Sequence, residues 1–128
     1  MRPRALPAAN VLLPPQQRNL LLQIAFTEVI DVFWTDLIID EWLRNIGIAE
    51  DRTKCETKTV PLMRKWFPGS SLPPAGDDPV GSTQAGDRHI ARAALGVTPC
   101  ALLTWNVKHF DEEELARLEV EVAETHPS

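Results

Sequence analysis

Residues 87–106, DRHIARAALGVTPCALLTWN, hold the feature that most restricts how this chain can fold: a short helix, a tight connection and an apolar strand in immediate succession. Asp87 stands where the helix begins, and Ile90, Ala91, Ala94 and Leu95 follow at helical spacing. Gly96 and Pro99 end it. Cys100, Ala101, Leu102 and Leu103 form an unbroken apolar run, the pattern of a strand buried on both faces. Thr104, Trp105 and Asn106 close that strand. In a parallel α/β sheet, ligands gather outside the carboxyl ends of the strands. An acid opening a helix and polar groups closing a strand are therefore expected to meet at one site.

The rest of the chain supplies alternating strands and helices. Residues 2–13 read as a first strand entering a turn at Ala9-Asn10, although Pro7 removes a backbone donor that a central strand would use. Pro14 and Pro15 suit the opening turn of a helix with a stripe of Leu20, Leu21, Ile24 and Ala25. Val29 to Trp34 is β-branched and aromatic, hence a strand. Thr35 is the N-cap of the next helix, whose buried face is expected to carry Leu37, Ile38, Trp42 and Ile46. Asp40 and Glu41 point about 100° apart on that helix, and Glu41 lies nearer the apolar stripe. Residues 50–67 are expected to be helical but broken or kinked at Pro61, with Met63, Trp66 and Phe67 as an apolar anchor. Residues 68–86 form a long loop. A helix from Asp111 buries Leu115 and Leu118, Val120 and Val122 mark an edge strand, and residues 123–128 are expected to fray. Together these elements predict a single three-layer α/β/α domain over residues 1–128 with a short, mainly parallel sheet.

Bulk properties narrow the function. At 128 residues and 44% hydrophobic the chain can bury a real core. A net charge of −5 is the wrong sign for a general nucleic-acid coat, so any RNA contact must be local. Cys55 and Cys100 are too few for a disulfide framework or a zinc site, and the cytoplasm is the expected compartment. No apolar run approaches a membrane span, and no secretory signal is expected.

Ala9-Asn10-Val11-Leu12, Asp40-Glu41-Trp42 with Arg44-Asn45, Asp87-Arg88-His89-Ile90-Ala91 and Thr104-Trp105-Asn106, in this order, resemble a PIN-domain protein, and more narrowly the VapC-type toxin branch. The resemblance spans almost the whole chain and implies a metal-dependent endoribonuclease. Carboxylates from separate elements would hold Mg²⁺ or Mn²⁺, which neutralises phosphate charge and activates water. Carried over to this sequence, Glu41 and Asp87 match two family acids, and Asn106 matches a position after the final strand; these three are the expected metal ligands. Asn10 and Thr104 match polar positions that shape the site. The implied partners are an RNA substrate, a VapB-like antitoxin and a second copy in a homodimer.

Two departures weaken that expectation. Ala8 stands where the family carries its first acid, and His109 stands where an acid often precedes Phe110. Both changes lower the negative charge available to a divalent ion, so the chain is expected to be impaired as a nuclease. The alternative is a catalytically inactive PIN-fold protein that serves as a protein-binding module. Taken singly, Asp87 reads as a helix cap, His89 as a partly buried packing or hydrogen-bonding residue, and His109 and His126 as surface residues. A hydrolase of another α/β class is disfavoured, because neither G-x-S-x-G nor G-x-x-x-x-G-K occurs.

Overall fold

The computed structural model describes residues 2–125. It places four strands in one sheet: β1 (Arg4–Pro7), β2 (Asp31–Val32), β3 (Cys100–Thr104) and β4 (Val120–Glu124). Their order is β2-β1-β3-β4, and every neighbouring pair is parallel. The helices are α1 (Ala9–Leu12), α2 (Pro15–Phe26), α3 (Asp36–Arg44), α4 (Ala49–Lys54), α5 (Val60–Trp66), α6 (Arg88–Leu95) and α7 (Glu112–Arg117). The expected three-layer α/β/α arrangement around a short parallel sheet is what forms. The chain leaves β1 for β2 on one side, then returns to β3 on the other side of β1. Strand order thus reverses between β1 and β3, which defines a topological switch point.

Interior strands β1 and β3 pair with Leu6 opposite Leu102, both fully buried. Pro7 is tolerated in this interior strand because β2 is so short. The Ala8 N–H points to β3 and donates to Leu103 O at 2.8 Å, while Ala5 O accepts from Phe33 on the β2 side. Pro7, between them in the alternation, faces β2 at the point where that strand ends, so its missing N–H costs at most one terminal rung of the ladder. Beyond Phe33 the chain turns away, and Trp34 bridges Ser71 instead. The expected strand from Val29 to Trp34 is accordingly only Asp31–Val32; Glu28 adopts a φ of 65° and Val29 is exposed in the preceding turn.

Thr35 caps α3 as expected, its Oγ1 accepting from Ile38 N at 3.2 Å. Ile38, Ile39 and Trp42 are its buried residues, whereas Leu37 is exposed. On α2 the buried set is Arg18, Leu21 and Ala25; Leu20 is exposed. Arg18 replaces the apolar residue that periodicity would place there. Its Nη1 donates to Leu12 O at 2.9 Å, and its guanidinium lies 5.0 Å from the Trp42 ring centroid. The carbonyl and ring stand in for a counter-ion, and burial lowers the pKa of this cation.

No break occurs at Pro61. A π-helical turn, Cys55–Thr59, joins α4 to α5 directly. Proline cannot donate to the carbonyl four residues back and crowds it, and widening the preceding turn relieves that crowding. Trp66 is not an interior anchor: it is exposed and meets Phe26 edge-on at 5.3 Å. The first-strand turn expected at Ala9-Asn10 is the one-turn helix α1. Leu115 is fully buried but Leu118 is not, because the helix ends at Arg117. Ala123 and Glu124, expected to fray, belong to β4; residues 126–128, with His126, lie outside the described residues.

Asp111 ties the long loop to the body. Its Oδ2 accepts from Ser82 N at 2.9 Å and its Oδ1 from Glu114 N at 3.1 Å, so one carboxylate holds the loop and caps α7. Ser82 first, then Glu114, hold this carboxyl below its usual range. A depressed pKa stabilises the fold above the unfolded value and loses that contribution as pH falls through the folded one. Asp111→Asn is therefore expected to melt below the parent at neutral pH, with the gap closing on acidification below about pH 4. A pH series of melting curves in which the gap stays constant would contradict this account. Gly81, at φ 63°, sits where an added Cβ would overlap the Asp111 carboxylate. Gly81→Ala is expected to cost about 1–3 kcal/mol in denaturant unfolding.

Candidate functional site

The switch point puts two chain segments side by side, the end of β1 running into α1 and the connection that leaves β3. Their side chains lace them together. Asn10 Oδ1 accepts from Trp105 N at 3.3 Å, and the buried Thr104 Oγ1 accepts from Asn106 N at 3.1 Å. Trp105 Nε1 donates to Gln17 Oε1 at 3.2 Å, which adds α2 to the same corner. Asn10 and Thr104 thus each accept a backbone N–H of the connection that leaves β3. Asn106 is exposed at the mouth, and Ala8 is buried at the strand end with no polar atom on its side chain.

The two acids reach this region from its flanks. α3 packs against α1, and α6 against β3. Glu41 is half-buried while Asp40 is exposed, as the helical geometry requires. Glu41 Oε1 lies 3.0 Å from His89 Nε2, in the first turn of α6. Asp87 is at the N-cap position of α6 but makes no side-chain cap bond. Its Oδ2 instead lies 3.1 Å from His109 Nδ1, at the end of the 3₁₀ turn Val107–His109. An ionised carboxylate can only accept, so His89 donates through Nε2 and His109 through Nδ1. His89 Nδ1 is then a buried atom with no partner among the described residues.

Each acid is therefore committed to a histidine. His89 is partly buried and hydrogen-bonded, one of the two roles expected of it, and His109, partly accessible at the surface as expected, also pairs with Asp87. The missed signal was chemical: a base standing where the related pattern has an acid can pair with a neighbouring acid. Asp77 and Asp78 remain exposed in the loop.

These residues do not fit a divalent ion as they stand. Mg²⁺ takes near-octahedral oxygen ligands and Mn²⁺ favours carboxylate, carbonyl and water. Ala8 offers none, and the two carboxylates are engaged with N–H donors. Among the described residues, no three His, Cys, Asp or Glu side chains are grouped so that they could hold a metal ion. Comparisons with protein-family models, curated proteins and solved structures give no match for this chain. Function must therefore be argued from the site itself.

The lacing is expected to matter locally before it matters globally. In Asn10→Ala the Trp105 amide loses its acceptor, which should weaken its protection by about 0.5–1.5 kcal/mol in native-state hydrogen exchange. Unchanged exchange at Trp105 would show that Asn10 does not hold the connection.

Proposed function

We propose that this chain is a PIN-like domain of the VapC-type toxin ribonuclease kind, impaired in cleavage because Ala8 stands at the first acid position. The observation that carries the reading is the β1–β3 switch point, where Asn10 and Thr104 hold the connection that bears Asn106, and where α3, carrying Glu41, and α6, starting after Asp87, pack against α1 and β3. Single-stranded RNA is the proposed ligand. A VapB-like antitoxin and a second copy of the chain are the proposed partners. An ion in such a site would supply charge neutralisation and an activated water, and the residues present do not hold one. In their absence Asn10 and Thr104 keep the connection rigid, and the paired acids keep their places.

A second reading, the non-catalytic protein-binding module, is favoured by a separate observation. A groove of about 650 Å³ between α2 and α5 exposes Phe26, Leu62 and Trp66, each more than half accessible. Apolar surface concentrated in this way often marks a protein contact.

Restoring both lost acids separates the readings. Ala8→Asp with His109→Asp is expected to cleave single-stranded RNA in Mn²⁺ at least about tenfold faster than the parent chain, equivalent to ~1.4 kcal/mol of barrier. Ala8 is buried, so the added carboxylate should also lower the melting temperature in EDTA. A folded double variant that cleaves no RNA across a screen of metals and sequences would sink the nuclease reading and leave the binding module.

A further inference from the structure

We infer that Glu41 and Asp87 are each made poor ligands for divalent cations by their own histidines, His89 and His109, and not by the loss at Ala8 alone. The inference does not depend on whether RNA is the ligand. It rests on which atoms already occupy the carboxylates.

A carboxylate ligates a cation through the same lone pairs that accept hydrogen bonds. His89 places an N–H against Glu41 Oε1 at 3.0 Å, and His109 places one against Asp87 Oδ2 at 3.1 Å. Both are charge-assisted contacts. In each, a donor hydrogen with positive partial charge takes a lone pair on one of the two carboxylate oxygens, which lowers the negative charge the group can offer an ion. All four side chains are more buried than exposed: 31% and 23% accessible for Glu41 and His89, 22% and 39% for Asp87 and His109. Water therefore competes with these contacts less than it would at an open surface.

The two pairs are also mechanically joined. Asp87 and His89 flank Arg88 at the start of α6, so one element supplies an acid to one pair and a base to the other. His89 reaches Glu41 through Nε2, and its second nitrogen is buried without a partner among the described residues. Adding a carboxylate at residue 8 supplies one more ligand but frees neither Glu41 nor Asp87. His109→Asp acts differently: it removes the donor and adds a second acid beside Asp87, two like charges that a cation relieves.

Mn²⁺ alone is the probe, read through the paramagnetic resonance of the free ion and through melting temperature in Mn²⁺ against EDTA. The parent chain is expected to leave the free-ion signal unchanged at millimolar Mn²⁺ and to melt at the same temperature in both. Ala8→Asp alone should behave like the parent in Mn²⁺ affinity. Ala8→Asp with His109→Asp should bind Mn²⁺ at least about tenfold tighter than Ala8→Asp, with a melting temperature that rises with the ion as native-state binding requires. If that variant does not fold, His89→Ala with His109→Ala, which only removes the donors, should show the same gain over the parent. Saturable Mn²⁺ binding by the parent that Asp87→Asn abolishes would overturn the inference. So would histidine variants that fold yet bind no better than their references. RNA cleavage is not read here, so failure of this inference and failure of the nuclease reading are distinguishable.

Discussion

The parallel pairing of β1 with β3 is the contact on which the rest of this structure depends. Leu6 against Leu102 centres the core, and the Ala8 N–H to Leu103 O bond ends the ladder where both strands give way to polar connections. On one side β1 offers only a brief partner in β2; on the other, β3 carries β4 at full length. The reversal of strand order, the depth of the core and the place of the polar residues all follow from this pairing. A shift of one residue would move Leu6 off the core and separate Asn10 from Trp105.

Around that ladder the chain deals with charge in two ways. Arg18 is buried without a carboxylate and is held by a carbonyl and the face of Trp42, with its Nε left unpartnered among the described residues, and it pins α1, α2 and α3 into one corner. Glu41 and Asp87 are treated oppositely: each has a histidine drawn from a different turn of the chain. Such pairs hold α3 to α6 and α6 to the turn after β3, a structural role that needs no ligand. The same contacts that make the region cohesive leave its oxygens less available to an ion. Cohesion and metal affinity compete for the same lone pairs.

Much of the fold was readable from residue order. The α6–β3 unit, the Thr35 cap, the edge strand and the inward turn of Glu41 follow from local rules of spacing and capping. What escaped was decided by tertiary context. The long strand expected at Val29–Trp34 shortened because Ser71, far along the chain, takes up the pairing of Trp34. Pro61 read as a break or a kink, and the irregularity it imposes takes the form of a wider turn just before it. At the site, spacing could place Asp87 at a helix start but could not say whether its carboxylate would cap that helix. The capping bond is absent because His109, twenty-two positions later, receives the carboxylate instead. Pairings between residues distant in sequence carry no periodic signal, and both histidine contacts are of that kind.

The loop between α5 and α6 is held before residue 73 by the Trp34–Ser71 bridge and after residue 77 by the bond from Arg92 to the Asp78 carbonyl, the buried Val80 and the bond from Ser82 to Asp111. Between them, Pro73, Pro74, Gly76 and Asp77 are exposed. Closing a flexible loop costs entropy that grows only with the logarithm of its length. With both ends anchored, added or removed residues at 73–77 change that logarithm slightly and reach neither anchor. The body of the domain is thereby uncoupled from the length of its longest loop, and this span is where the chain can vary in size without moving the switch point.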